Sequence, residues 1–195
     1  MAAMMTVEMV EANIMVIDNA FDWGACLVKT AEELNLWTPA PTAGPTTDWR
    51  VSDIAVLSKL VHPGFGEFED LFKPVVKLVY DAWIDENPWA IYGAGGRLVN
   101  QDTGYGLLRY GVGGYYKPHI DNGPYTEPSI ARRQVSIVAY PADDFDGGEL
   151  DFPRQRVRIT PKPGMVVSFP ASPAYPHASL PVTWGTKYAI STWIF

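Results

Sequence analysis

The chain has little cysteine and no long apolar run. Cys26 is the only cysteine, so neither an intrachain disulfide nor a thiolate metal site is possible within one chain. No apolar stretch reaches the roughly 20 residues that a membrane-spanning helix needs. The sequence therefore predicts no association with a membrane. Its length of 195 residues and its 47% apolar content are those of an ordinary folded domain.

Positive charge is also scarce. The chain carries 15 Lys and Arg residues against 22 Asp and Glu residues, a formal net charge of −7. This surplus repels a phosphate backbone, so the sequence predicts that the protein does not bind nucleic acid. No Lys or Arg precedes Lys29, whereas a secretory or transit peptide begins with positive charge. We therefore expect a cytoplasmic protein.

Glycine and proline are plentiful, with 17 of each. After Pro88 the apolar segments are short, alternate with polar residues and end at Gly or Pro. This texture, repeated about every ten residues, is typical of a β-sandwich or barrel. The predicted strands cover residues 107–110, 115–121, 133–140, 149–152, 156–160, 165–169 and 187–195.

The part before Pro88 has a different pattern. A short apolar run at residues 13–17 predicts an opening strand, and helical spacing follows up to Leu34 and again over residues 67–86. Pro74 predicts a kink or a break in the second helix. We expect one domain over residues 1–195, with a mostly helical flank at 1–88 and a β core at 89–195. Residues 92–105, rich in glycine, are either a lid or a connecting loop.

Two of the three histidines stand in a pattern that suits a metal ion. His119 and Asp121 are two residues apart on a predicted strand, so their side chains point to the same face. His177 follows the predicted strand 165–169, and all three side chains can meet if that strand runs beside the first. Two imidazoles and a carboxylate form the facial triad of non-haem Fe(II) oxygenases, although zinc hydrolases use the same ligand types. The alternative is that His119 is a core residue and His177 a loop residue.

Lys187 opens the final predicted strand, ten residues after His177. Alternation places Lys187 on the same face as Ala189, Ser191 and Trp193. A lysine at the start of an apolar strand inside a barrel is costly unless it meets an anion, and a dicarboxylate co-substrate would supply one. The alternative is a lysine that extends to solvent from the strand end.

Residues 107–121, which contain the His-x-Asp pair, resemble the metal-site strand of prolyl 4-hydroxylase-type 2-oxoglutarate/Fe(II)-dependent dioxygenases. The similarity continues through residues 133–141, 146–153, 163–170 and 185–195. The resemblance implies an α+β, mainly β fold: a double-stranded β-helix (jelly roll) core with N-terminal helices packed on one sheet. It implies His119, Asp121 and His177 as ligands of Fe(II), with 2-oxoglutarate as co-substrate, O2 as oxidant and ascorbate as a reductant.

The same resemblance implies the residues that bind 2-oxoglutarate. Lys187 is the implied partner of its distal carboxylate, together with the Tyr140 hydroxyl, and Tyr110 lies near its metal-bound end. Arg133 is implied near the pocket mouth as a substrate contact. The implied walls of the pocket are Val138, Leu150 and Trp193.

The resemblance therefore implies a hydroxylase that couples decarboxylation of 2-oxoglutarate to succinate with C–H hydroxylation. We expect the substrate to be a prolyl residue of a protein or peptide. The alternatives are a free amino acid or another small molecule as substrate, and a non-catalytic jelly-roll binding protein. The sequence gives no indication of the oligomeric state.

Overall fold

Antiparallel strands make up most of the regular structure in the computed structural model. It describes residues 4–11, 13–42, 47–87, 102–123 and 128–195. The strands are β1 (Thr6–Glu11), β2 (Ile14–Asp18), β3 (Thr38–Pro39), β4 (Arg50–Val51), β5 (Asp53–Leu57), β6 (Tyr105–Tyr110), β7 (Tyr115–His119), β8 (Val135–Tyr140), β9 (Phe145–Gly147), β10 (Leu150–Phe152), β11 (Val157–Ile159), β12 (Met165–Pro170), β13 (His177–Ser179), β14 (Val182–Gly185) and β15 (Lys187–Ile194). The helices are α1 (Gly24–Leu34), α2 (Gly66–Glu86) and the short α3 (Pro128–Ala131), with 3-10 turns at Thr47–Trp49 and Pro63–Phe65.

The strands form two main sheets and a separate two-stranded ribbon. The large sheet has the order β1-β2-β12-β8-β15-β6-β5-β3, and the small sheet has the order β11-β10-β13-β7-β4. β14 and β9 form the ribbon, and strand pairs throughout are antiparallel. This is the jelly-roll arrangement that the sequence predicts.

Alternation along the large sheet creates two apolar layers. Leu107 belongs to the buried cluster that contains the α2 residue Phe72, whereas its neighbour Leu108 belongs to a second cluster with Leu150 and Phe152 of the small sheet. Successive side chains of a strand point to opposite faces, so one face of the large sheet packs on the helices and the other faces the small sheet. The candidate site lies between the two sheets.

The first helix starts later than the sequence predicts, whereas the second agrees with its predicted bounds. α1 begins only at Gly24, because Asn19 adopts a left-handed conformation (φ 57°) and the Ala20 N–H donates to the carbonyl of Gly164. α2 continues through Pro74 without a break. Pro74 lies on the exposed face of α2, where water can satisfy the carbonyl that loses its helical partner.

The N-terminal half contributes more strands than the sequence suggests. β1, β2, β3 and β5 belong to the large sheet, and β4 is an edge strand of the small sheet. Each of the two main sheets therefore contains strands from before and from after the segment 88–101. That segment, with part of the predicted β core and most of the possible lid, lies outside the described residues. None of the helices in the described ranges is long and apolar enough to span a bilayer.

Candidate metal site and its cavity

Three potential metal ligands meet between β7 and β13. In the small sheet His177 lies directly opposite His119, and Asp121 follows two residues after the end of β7. Nε2 of each histidine lies 3.6 Å from a carboxylate oxygen of Asp121. One ligand atom from each of the three residues lies within 4.8 Å of the other two. Such a cluster can bind one divalent cation while leaving further coordination positions free.

His177 reaches the site on a strand of its own. The sequence predicts that the three side chains can meet if residues 165–169 run beside the His119 strand, but β12 pairs with β2 and β8 in the large sheet. His177 instead opens the three-residue strand β13, which pairs with β7. A segment this short in a Pro-rich stretch gives too little alternation to be recognised as a strand.

Backbone carbonyls fix both imidazole rings for metal binding. Nδ1 of His119 lies 2.9 Å from the Lys117 carbonyl oxygen, and Nδ1 of His177 lies 3.2 Å from that of Tyr175. A carbonyl only accepts, so each Nδ1 carries the proton and each Nε2 keeps its lone pair for a cation.

Asp121 is a buried carboxylate oriented by a serine. The Ser136 hydroxyl on β8 donates to one of its oxygens at 2.7 Å. Burial acts to raise the pKa of Asp121, but His177, His119 and the Ser136 hydrogen bond outweigh it and hold the pKa below its ordinary value. The carboxylate is therefore ionised and suited to coordinate a cation.

The two histidines are held by different surroundings. His177 packs against Phe169 and Phe152, with ring centroids 4.5 Å and 5.9 Å away. His119 stacks in parallel on Tyr116, with centroids 3.5 Å apart. Burial, followed by the nearby His177, lowers the pKa of His119 well below its ordinary value, so this imidazole is neutral near pH 7.

Lys187 lies deep in the same cavity and is only 2% exposed. Its ammonium group donates to the Ser179 hydroxyl at 2.7 Å and to the carbonyl of Gly148. Burial lowers the pKa of Lys187 to about 7, although Glu149 opposes the shift. Lys187, Ala189, Ser191 and Trp193 line one cavity, so β15 presents the face that alternation predicts.

Two tyrosines surround the Lys187 ammonium group. Nζ lies 5.2 Å from the ring centre of Tyr110 and 5.5 Å from that of Tyr140. The Tyr140 hydroxyl is fully buried and has no hydrogen-bond partner in the described part of the chain. A buried ammonium group beside a hydroxyl that still needs a partner suits a carboxylate ligand.

One cavity of about 960 Å³ gathers the whole predicted site. It is lined by all ten residues singled out from the sequence, which are Tyr110, His119, Asp121, Arg133, Val138, Tyr140, Leu150, His177, Lys187 and Trp193. The fold therefore brings the residues singled out from the sequence into one cavity, although they are up to 83 positions apart along the chain.

Sequence reasoning missed the residues that support this set. Ser136 and Ser179 contact Asp121 and Lys187, and Tyr116 covers His119. Gly148 has a positive φ of 66°, and a Cβ there would lie 2.8 Å from Cδ of Lys187. The Gly147-Gly148 pair is a visible signal for a special backbone position, whereas neither serine lies in a motif.

Comparison with known proteins agrees with this geometry. Residues 105–195 match the 2OG-Fe(II) oxygenase superfamily. The chain is 33% identical over 101 residues to prolyl 4-hydroxylase subunit alpha-1 of Gallus gallus, a match that covers 45% of the chain and 20% of that relative. The chain thus spans only about a fifth of the length of this curated relative.

Two solved structures share the fold at low sequence identity. A Pseudomonas putida prolyl-4-hydroxylase superposes with a TM-score of 0.69 at 20% identity, covering 93% of this chain and 91% of that one. A Trichoplax adhaerens prolyl hydroxylase, solved with a hypoxia inducible factor peptide fragment, gives 0.69 at 19% identity, covering 94% and 83%.

The jelly roll and the His-Asp-His cluster agree with the match of residues 105–195, just under half of the chain, to the 2OG-Fe(II) oxygenase superfamily. Within that superfamily, the chain resembles prolyl hydroxylases, which confirms the resemblance drawn from residues 107–121. Members of this superfamily use Fe(II), 2-oxoglutarate and O2.

Proposed function

We propose that the protein is an Fe(II)- and 2-oxoglutarate-dependent hydroxylase. The observation that carries the proposal is the shared cavity, in which the three clustered ligand atoms and the buried Lys187 line one space. Fe(II), when bound, supplies the redox chemistry that couples decarboxylation of 2-oxoglutarate to hydroxylation of a C–H bond.

In this proposal His119, Asp121 and His177 hold the metal ion. The carbonyls of Lys117 and Tyr175 fix the histidine tautomers, and Ser136 orients the carboxylate. His119 at the end of β7, Asp121 just after it and His177 on β13 would hold the ion, and three protein ligands would leave further coordination positions for the co-substrate.

Lys187 and Tyr140 bind the distal carboxylate of 2-oxoglutarate in this scheme, and Tyr110 lies near its metal-bound end. The Lys187 ammonium is a compact charge, and the Tyr140 hydroxyl adds a directed donor that fixes which end of the co-substrate faces the metal. Val138, Leu150 and Trp193 form apolar walls that exclude water.

The proposed substrate is a prolyl residue of a protein or peptide, with Arg133 as a contact at the cavity mouth. The prolyl hydroxylase structures that share the fold support this class, and one of them is a peptide complex. A free amino acid or small molecule is the second candidate, favoured by the unpaired charges described below. A binding protein without catalysis is disfavoured because the ligand set and Lys187 are intact. Ascorbate as a reductant and a cytoplasmic location stay predictions from the sequence.

Succinate formation tests the proposal. The protein loaded with Fe(II) should convert 2-oxoglutarate to succinate even without a substrate, and Asp121→Ala or His177→Ala should reduce this rate at least 100-fold. Arg158→Gln, an exposed charge change away from the cavity, serves as the control. Metal-independent succinate formation, or full activity in Asp121→Ala, would reject the proposed metal site.

A further inference from the structure

Two arginines that line the cavity have no acidic partner in the described ranges. The guanidinium carbon of Arg133 lies 3.5 Å from the ring centre of Trp193, and its buried Nε makes no hydrogen bond. Arg50 lies 4.6 Å over the Tyr116 ring. Its hydrogen bonds go to neutral oxygens of Ser52, Pro41 and Tyr110. Both arginines line the cavity of the candidate site.

Arg109 shows how the same molecule stabilises a stacked guanidinium elsewhere. It lies 4.5 Å over the ring of Trp37, much as Arg133 lies over Trp193. Unlike Arg133, it also contacts Asp53 at 2.8 Å and Glu32 at 3.2 Å. A half-buried charge without a counter-ion is costly, so the contrast indicates that the partner of Arg133 arrives with a ligand.

The metal and the co-substrate do not provide that partner. Fe(II) and Lys187 bring three positive charges, and Asp121 with the two carboxylates of 2-oxoglutarate brings three negative ones. The proposed resident groups are therefore balanced among themselves. Arg50 and Arg133 form no ion pair in the described ranges with the other acidic residues that line the cavity, Glu69 and Asp102, which instead accept hydrogen bonds from the Lys59 N–H and from Gly104 and Tyr105.

Arg133 also lines the cavity that contains the candidate metal ligands. The charge of Asp121 acts on Arg133, opposing the lowering of its pKa by burial, although the two groups form no ion pair within 4 Å. Both residues and Trp193 line the same cavity. A group that binds the Arg133 guanidinium therefore enters the same cavity as the proposed metal ion and co-substrate.

We propose that the substrate carries a free carboxylate close to its reactive carbon, and that this carboxylate binds Arg133. The proposal rests on the hydroxylase function above, and among its candidate substrates it favours a free amino acid or a C-terminal prolyl residue over an internal prolyl residue. It assigns the site to a free amino acid or to the C-terminal residue of a peptide, because an internal residue offers only a neutral carbonyl. The planar guanidinium suits bidentate binding of a carboxylate, and Arg50 adds positive charge nearby.

Matched acids and amides test the proposal. We would measure 2-oxoglutarate-dependent succinate formation with L-proline against L-prolinamide, and with Gly-Gly-Pro against its C-terminal amide. The acid of at least one pair should have a kcat/KM about tenfold or more above that of its amide, since a charged partner is worth one to two factors of ten. The pair that responds distinguishes a free amino acid from a peptide C-terminus.

Substitutions of Arg133 connect the preference to this residue. Arg133→Gln should raise the KM of the acid and abolish the discrimination, whereas Arg133→Lys should retain part of it. Arg132→Gln is the matched control, because it removes the same charge from an exposed neighbouring position that does not line the cavity. The acid preference should survive in this control.

Equal rates with acid and amide, including no response to either, would overturn the inference. Preference for the amide, or an acid preference that survives in Arg133→Gln, would overturn it as well. If the protein turns over 2-oxoglutarate but does not distinguish the acids from the amides, only this inference is wrong. If it forms no succinate at all, the proposed function is wrong. In the latter case, calorimetric titration of the same pairs into the zinc-loaded protein decides whether Arg133 selects a carboxylate.

Discussion

Lys187 is the residue whose environment makes the clearest demand for a ligand. Its ammonium group is buried and donates only to the neutral oxygens of Ser179 and Gly148. Burial holds its pKa at about 7, so a large share of the molecules have an uncharged Lys187 at neutral pH. A dicarboxylate restores the charged form because it supplies the missing negative charge, which couples its binding to proton uptake.

We therefore predict that 2-oxoglutarate binding weakens as the pH rises above 7. At pH 8 up to about one proton should be taken up per bound co-substrate, because most of Lys187 is neutral before binding. Calorimetry of the zinc-loaded protein in buffers of different ionisation enthalpy measures this number. Lys187→Arg stays protonated and should bind without proton uptake. Binding that is independent of pH in the unmodified protein would contradict this role of Lys187.

Gly148 allows the stem of Lys187 to pass beneath it. Gly148→Ala should weaken 2-oxoglutarate binding at least tenfold, because a Cβ meets Cδ of Lys187 at 2.8 Å and the backbone has a positive φ. Gly113→Ala is the matched control, since its φ is 79° and its Cβ meets nothing within 4 Å. Both variants should lose about 1 kcal/mol of stability in urea unfolding. Equal co-substrate affinity in the two variants would show that the contact is unimportant.

At the scale of elements, three strands combine to form the metal site. β7 brings His119 and leads to Asp121, β13 brings His177, and β8 contributes Ser136 from the opposite sheet. Ser136→Ala should lower the affinity for Mn(II) about tenfold, because loss of an outer hydrogen bond leaves the Asp121 carboxylate less well oriented.

A neighbouring serine provides the control for this element. Ser168 on β12 is equally buried, but it accepts a hydrogen bond from the Trp83 indole at 3.0 Å, away from the ligands. Ser168→Ala should reduce stability by about 1 kcal/mol and leave the Mn(II) affinity unchanged. The same loss of affinity in both variants would assign the effect to general destabilisation of the sheets.

The strands differ in how far the sequence predicts them. β6, β8, β12 and β15 are long and apolar, and their predicted bounds agree with the structure within two residues. β13 and β14 are short, and every residue of β1 is exposed, so none of them shows clear alternation. Their existence depends on neighbours distant in the chain, which local sequence patterns do not encode.

At the scale of the molecule, the site joins segments that are far apart in the chain. His119 and Asp121 are separated from His177 by more than 50 residues, so an ion bound to all three adds a cross-link that the unfolded chain lacks. At a Mn(II) concentration about 100 times the Kd, the stability gain should be about 2.7 kcal/mol. In a thermal scan this corresponds to a rise in Tm of roughly 5 to 10 °C.

Two variants separate the metal effect from packing. Asp121→Ala should abolish the rise in Tm, and EDTA should do the same for the unmodified protein. Phe72→Ala, in the core between α2 and the large sheet, should lower Tm both with and without metal. The rise in Tm on addition of Mn(II) should stay the same in this variant. A rise in Tm that persists in Asp121→Ala would mean that Mn(II) binds elsewhere.

The candidate metal ligands and Lys187 were easier to predict from the sequence than the residues that contact them. His119, Asp121, His177 and Lys187 are identifiable because few residue types bind a metal ion or a buried carboxylate, and their order resembles a known family. Ser136 contacts Asp121 and Ser179 contacts Lys187 only in the folded structure, and Arg50 lines the same cavity through contacts with Tyr110 and Tyr116. Serines and surface arginines occur throughout the sequence, so composition and spacing do not distinguish the few that line the cavity.

Anomalous diffraction from anaerobic crystals grown with Fe(II) and 2-oxoglutarate is the most direct measurement of the proposed site. We predict one iron peak about 2.1 Å from Nε2 of His119 and of His177 and from a carboxylate oxygen of Asp121. The distal carboxylate of 2-oxoglutarate should contact Lys187 and the Tyr140 hydroxyl. An iron peak away from these ligands, or a co-substrate that leaves Lys187 without a carboxylate, would contradict the account.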